Sequence, residues 1–582
     1  MNRRHMIGAG LAAVLTVATT GWPVRAAQEQ IDVASIEKIK AMGLTPATSQ
    51  VMEIASWLTD VHGPRLSGSP NIQKAGEWAV AKMKEWGLTS VALEPWEDQT
   101  RFTRGWSNDK FYLAEVSPQQ YPMYGMSSAW TPGTKGLVRG EAILVTSTDP
   151  DEVKKLSGKL RGKFVLTQNA PEVAAYFDPQ GRRYTPEQLD AMEKPAAPRG
   201  GGDPAQQGRG GRQGQAGRAG AGAAAATATP PEPCVPAPFN RNEFFLKEGV
   251  VATLSTNPRG HGLFTNGGSA ANDPATTLPA ITVAAEHYGR MVRQLAKGIP
   301  VTLEADIRNT FHPKPTMFNV VGEIRGTDKA DEIVMLGAHF DSWHGSTGAT
   351  DNAAGSAAMM EAMRILKASG VPLRRTVRIG LWNGEEQGLI GSAQYVRKHF
   401  AARGTPPPAP PAPPAPPCPA GMVANNAGRG GGGGRGGGAG QAPLELKPEH
   451  AKFSGYFNID NGTGAIRGVY LQGNEAIGQV FRAWMAPFKD IGMNHLNPGN
   501  TGGTDHGSFD NVGLPGFQFI QDSIEYNTVT HHYNMDSYER LQVEDMRKNA
   551  TIAAAFAFLA ANRDQLLPRK PAAPAGGRGG GQ

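Results

Sequence analysis

The sequence predicts an α/β fold: a mostly parallel central sheet covered by helices on both faces, with an inserted β-rich domain. Short apolar runs alternate with helix-patterned segments between residues 331 and 560, which is the signature of parallel strands joined by helical crossovers. The stretch 111–308 lacks that alternation, and histidines and carboxylates recur just past the apolar runs. At 582 residues the chain exceeds one ordinary core, so two domains are expected.

Residues 332–337 (Glu-Ile-Val-Met-Leu-Gly) form an apolar run of strand length, as a strand buried on both faces requires. Helical spacing follows over 353–368, with Met359, Met360, Met363 and Leu366 on it, and Gly370 and Pro372 stop it. The next strand is 376–382 and the next helix 389–400. A third strand over 453–459 precedes a helix over 475–488. A fourth over 516–520 precedes a closing helix over 543–560. Between 111 and 308 the apolar runs are short (142–145, 163–166, 278–283), and this region resembles a protease-associated domain. The α/β domain is therefore expected over 28–110 and 309–568.

Glycine (74) and proline (45) concentrate in three Gly/Pro/Ala/Arg-rich blocks, over 195–233, 405–443 and 569–582. Such mixtures bury too little apolar surface to offset the entropy of ordering, so they read as flexible insertions and a tail. The formal charge of +6 sits largely in Arg-Gly runs and implies no nucleic-acid partner. Residues 1–27 combine Arg3 and Arg4, an apolar run and small residues, the parts of a cleavable signal peptide, and the arginine pair permits twin-arginine export. Export to the periplasm or medium is expected, with no stable membrane anchor. Cys234 and Cys418 both lie in proline-rich inserts, which argues against a cysteine nucleophile or cysteine metal site.

The chemistry-bearing residues fall at strand ends. His339 and Asp341 follow the first strand, and Asp351 precedes the first helix. Glu385 and Glu386 follow the second strand, Asp460 ends the third, and His531 and His532 follow the last. Ligands bind at that rim in such sheets. A lone strand-end aspartate is commonly a turn or cap residue, and Asp351 alone reads as an N-cap. Their joint recurrence at one rim is what points to a site. Imidazole and carboxylate donors without sulfur suit zinc, with cobalt or manganese as alternatives, and the number of donors fits two ions sharing a carboxylate.

The motifs Gly-Ala-His-Phe-Asp-Ser (337–342), Thr-Asp-Asn-Ala-Ala-Gly (350–355), Asn-Gly-Glu-Glu-Gln-Gly (383–388) and His-His-x-x-x-Asp (531–536) resemble metallopeptidase family twenty-eight, co-catalytic two-zinc exopeptidases. Trp57 to Asp60 and Gly63 to Leu66 look like that family's opening helix and turn. The resemblance implies two Zn2+ per chain, with His339 and Asp460 on one, Glu386 and His532 on the other, and Asp351 bridging. It implies Glu385 as general base and Asp341 as the group orienting His339 through its other ring nitrogen. The His531-His532 pair resembles the plasma glutamate carboxypeptidase branch and implies His531 as an oxyanion donor. His344, Asp505 and His506 are left between structural and pocket roles. Small peptides are the expected substrates, with amino- or carboxy-terminal specificity and oligomeric state open. The competing readings are a single-zinc glutaminyl cyclase and a degenerate binding protein, and the complete donor set argues against both.

Overall fold

In the strand Lys329–His339, alternate residues from Ile333 to Ala338 enter opposite cores, which is why that part of its sequence is apolar. Val334, Leu336 and Ala338 face one cluster, and Ile333 and Met335 the other. The structure, a computed structural model, describes residues 29–194, 239–265, 267–403 and 443–571, together with the backbone of Cys234–Pro236 and Met422–Ala424. The expected signal segment, nearly all of the Gly/Pro-rich blocks and both cysteine side chains lie outside the described residues.

The central sheet contains β1 (Thr89–Pro95), β2 (Phe318–Ile324), β3 (Lys329–His339), β4 (Arg375–Trp382), β5 (Phe453–Asn458), β6 (Ile466–Tyr470), β7 (His495–Asn497) and β8 (Gly516–Gln521). Their spatial order is β1-β2-β4-β3-β5-β8-β6-β7. The centre, β4-β3-β5-β8, is parallel. The outer pairings β1–β2, β2–β4 and β8–β6 are antiparallel, so the sheet is more mixed than the sequence pattern predicts. The parallel centre is the part that carries the site.

Helices α1 (Val33–Leu44), α2 (Ala354–Ser369), α3 (Ile390–His399) and α4 (Val543–Asn562) cover the sheet. On one face Met359, Met363 and Leu366 of α2 pack with Ile552 and Phe556 of α4 against Leu336, Val377 and Ile379. On the other, Tyr395, Phe400, Tyr456 and Phe509 surround Trp382. Truncating a core residue such as Leu336 to alanine costs about 2–5 kcal/mol by transfer and cavity formation. The helix expected over 475–488 is instead three short pieces, Glu475–Ile477, Gly478–Met485 and Ala486–Ile491. Pro487 has no N–H to continue the α-helical ladder.

Thr302–Ala305, Val138–Leu144, Phe164–Leu166, Ala252–Ser255 and Ala280–Val283 form the middle of a second, mixed sheet, with Leu113–Ser117, Tyr121–Pro122 and Gly125–Ser127 completing it. It has its own core around Phe164, Leu254, Tyr288 and Leu303. The chain enters and leaves through an antiparallel ribbon of Gly105–Lys110 with Arg308–His312. Ordered packing reaches past the expected start of the tail at 569: Arg569 donates to the His450 and Phe453 carbonyls, and Lys570 pairs with Asp510. These contacts extend the ordered part through these two residues.

Candidate metal centre

Parallel strands end at the same rim, so His339 at the end of β3 and Asp460, two residues past β5, arrive together. Gly355, at the start of α2, permits the next approach. A Cβ there would meet Asn352 Oδ1 at 2.4 Å and the Ile459 carbonyl at 2.5 Å, so no side chain fits. This contact brings the Asp351 loop beside the end of β5. His339 Nε2 then lies 3.1 Å from Asp351 Oδ1 and 3.3 Å from Asp460 Oδ1. His532 Nε2 lies 2.8 Å from Glu386 Oε2 and 3.3 Å from Asp351 Oδ2. Asp351 thus stands between two donor groups, one on each of its oxygens. His531 Nε2 is 3.8 Å from Asp351 Oδ2, and its ring packs on that of His532 at 4.0 Å. The donor atoms of His339, Asp351 and Glu386 lie within 4.8 Å of one another, as do those of Asp351, His531 and His532.

Asp341 departs from its expected contact. His339 Nδ1 donates to the Asp341 main-chain carbonyl at 3.0 Å, whereas the Asp341 carboxylate is 3.8 Å from that nitrogen. The carboxylate instead accepts from Ser67 Oγ at 2.9 Å and from the main-chain N–H groups of Glu385 at 3.1 Å and Glu386 at 3.3 Å. It holds the turn that presents the two glutamates. With Nδ1 donating to that carbonyl, Nε2 is the ring nitrogen that faces the carboxylates, the one through which this imidazole would bind a metal.

Further residues build the site without having been assigned roles from sequence. Arg65 is fully buried and donates to the carbonyls of Phe340 (2.8 Å), Leu58 (2.7 Å) and Gly348 (2.9 Å), pinning the loop after His339. Asp536 accepts from the N–H groups of Thr350 (2.6 Å) and Asp351 (3.0 Å), fixing the Asp351 loop. Tyr526 donates to Asp351 Oδ1 at 3.0 Å. The motif positions of Arg65 and Asp536 were visible in the sequence, but their reach was not. Nothing in the sequence marked Tyr526.

Of the three unassigned residues, Asp505 is buried close enough to Asp460 and Asp341 to feel their charge. His344 donates to the Ser127 carbonyl at 2.7 Å, and burial holds its pKa to about 4, so it is a neutral tie to the second sheet. His506 donates to the Thr501 carbonyl at 3.1 Å, away from the donor cluster.

Negative charge dominates the rim. Burial, with the Asp460, Asp505 and Glu386 carboxylates, raises the pKa of Glu385 well above its ordinary value despite His339. Burial and Asp351 push Glu386 up to about 7, and burial and Asp351 push Asp536 to about 7. Burial opposes protonation of His339 and His532, yet the carboxylates overcome it and bring His532 to about 9. Asp351 Oδ2 and Glu386 Oε1 are buried and make no hydrogen bond. Buried carboxylate oxygens that accept no hydrogen bond are costly. A pair of dications would satisfy them, and an all-oxygen and imidazole donor set is chemically suited to one. The residues therefore fit the implied metals.

A buried histidine–carboxylate cluster on the carboxyl rim of an α/β sheet, with the buried Glu385 beside it, belongs to a metal-dependent hydrolase. The model of peptidase family M28 matches residues 319–406 and 437–557, which carry every donor of the cluster. The chain is 24% identical to carboxypeptidase Q of Mus musculus over 519 residues, 88% of this chain and 86% of that protein. An aminopeptidase of Pseudomonas aeruginosa is 43% identical over 84 residues, 14% of this chain and 15% of that one. The solved peptidase M28 precursor from Shewanella amazonensis shares the fold, with a TM-score of 0.57 at 20% identity over 93% of this chain and 98% of that one.

Proposed function

We propose that this peptidase is an exported exopeptidase holding two zinc ions, and that it hydrolyses small peptides with Glu385 as general base. The observation that carries the reading is the placement of Asp351 between two donor groups, with one oxygen near His339 and the other near His532. His339 and Asp460 would hold one zinc, Glu386 and His532 the other, and Asp351 both. When bound, such a pair lowers the pKa of a water and polarises the scissile carbonyl. Glu385 would take the proton of the attacking water on a carboxylate oxygen and return it to the leaving amine. Asp341 would keep Glu385 in place through its N–H, and His531 would face the developing oxyanion. The β-rich unit would be a protease-associated domain. Export rests on the character of residues 1–27. Among the described residues no helix is long and apolar enough to cross a membrane.

Metal analysis of the purified protein tests the reading. About two zinc equivalents per chain are expected, lost on chelation together with peptidase activity. One equivalent or none in fully active protein would sink the two-metal reading.

A further inference from the structure

The loop that follows β8 carries Tyr526, His531 and His532 to the rim, and two of its residues have left-handed backbone. Ile524 has a φ of 44° and His532 a φ of 61°. That conformation crowds the Cβ of any L-residue, and a β-branched one such as isoleucine most of all. It persists where surrounding contacts over-determine it. The loop's helical part is the single turn Tyr526–Thr530, too short to hold itself.

Much of the hold comes from the second domain, through a segment between its strands Phe164–Leu166 and Ala252–Ser255. Arg182 N–H donates to the Ile524 carbonyl at 2.9 Å, and Ile524 N–H donates to the Arg182 carbonyl at 2.8 Å. These two bonds fall on one of the left-handed residues. At the head of the loop, Tyr184 N–H donates to Asp522 Oδ1 and Arg183 Nη1 to Asp522 Oδ2, both at 2.9 Å. Thr528 Oγ1 donates to the Gln180 carbonyl at 2.8 Å. Two residues past His532, Asn534 Oδ1 accepts from the N–H of Phe264 at 2.9 Å.

Arg183 does more than close one hydrogen bond. Its Nη1 also stands 2.7 Å from Asp545 Oδ2, in the first turn of α4. Asp522 and Asp545 are both buried, and two buried carboxylates that meet at one point repel unless a cation lies between them. The other cations are farther off, Arg467 Nη1 at 3.6 Å from Asp522 and Lys548 Nζ at 3.8 Å from Asp545. The segment also has its own footing on the catalytic domain. Glu193 accepts from the Leu496 N–H at 3.0 Å and pairs with Arg482 at 2.9 Å.

We propose that the second domain braces the loop bearing His531 and His532, with Arg183 as the positioning residue, so that one of the two metal sites depends on that domain. The inference rests on the two-zinc peptidase reading above and deepens it, because His532 is one of the ligands in that reading.

The test is calorimetric titration of the metal-free, full-length protein with zinc. The wild-type protein should bind two equivalents. Arg183→Ala should weaken one of the two sites by about tenfold or more and leave the other at its wild-type affinity. Its kcat on a dipeptide should fall at limiting zinc and recover as zinc is raised, and Arg183→Lys should restore much of the lost affinity. Arg290→Ala breaks the ion pair with Glu115 inside the second domain and controls for general damage, so both affinities should hold in it. Thr528→Val removes the hydroxyl that donates to Gln180 and should give the same selective loss, and it decides alone if Arg183→Ala does not fold. Wild-type affinity at both sites, equal weakening of the two, or an equal loss in Arg290→Ala overturns the brace and leaves the peptidase reading standing. Failure of the wild-type protein to bind two equivalents overturns the proposed function and this inference with it.

Discussion

Glu115 on the second sheet and Asp351 on the rim of the first are both shut away from water, yet they are held in opposite ways. Glu115 is matched within the chain. Arg290 reaches it from Nε at 3.2 Å and Nη2 at 3.3 Å, and Gln294 donates at 2.8 Å. Asp351 sits among Glu385, Glu386 and Asp460, with imidazoles for company and one oxygen without a hydrogen bond. The first arrangement is complete as folded. The second is a surplus of buried negative charge that folding alone leaves uncompensated, and a surplus of that kind is what a cation site looks like before its cation arrives.

The largest expected effect lies at the rim. Glu385 is not one of the proposed ligands, so Glu385→Gln should lower kcat by about 10²–10⁴-fold while zinc content stays at the wild-type level. Loss of zinc in parallel with activity would place Glu385 among the ligands instead. At Glu115 the expectation reverses. Glu115→Gln should leave peptide hydrolysis intact and cost about 1–3 kcal/mol of stability, because Arg290 loses its anionic partner. A thermal melt alongside an activity assay separates the two carboxylates. If Glu115→Gln impaired turnover as strongly as Glu385→Gln, the division between structural and reactive charge would fail.

The same division explains what could be read from the sequence. His339, Asp351, Glu386 and Asp460 were legible because each lies close to an element with a clear apolar period, and parallel strands carry such residues to one edge, whereas His532, well past Gly516–Gln521, was legible from its motif. The real partner of His339 Nδ1 was not legible, since main-chain and side-chain oxygens of Asp341 differ by less than an ångström in their approach. Tyr526 and Arg65 act across long loops, where spacing carries no information about reach. Two strands at one edge of the sheet were missed for a related reason. Ile466–Tyr470 and His495–Asn497, which pair in parallel, are too short for a two-residue period to stand out.

The smallest effect concerns a charged cluster far from the rim, where the comparison can be sharpened by pH alone. His399 Nε2 lies 2.9 Å from Glu94 Oε1, and its Nδ1 is 3.6 Å from Glu449 Oε2. Burial works against its charged form, but the hydrogen bonds to Glu449 and Glu94 prevail and raise its pKa above 6.5. That contribution is complete below the unfolded value of about 6.5 and is lost as pH rises through the folded value. Burial likewise opposes ionisation of Glu94 and Glu449, and His399 and its basic neighbours overcome it and lower both pKa values from 4.5. Their contribution is present above about 4.5 and is lost as pH falls through the folded values. The cluster is therefore most stabilising between about pH 4.5 and 6.5. His399→Gln should cost about 1 kcal/mol near pH 5.5 and progressively less as the pH is raised toward 9, followed by thermal melting. Equal losses at both ends of that range would mean that His399 stabilises by packing, through its ring contact with Tyr395 at 4.3 Å, rather than by charge.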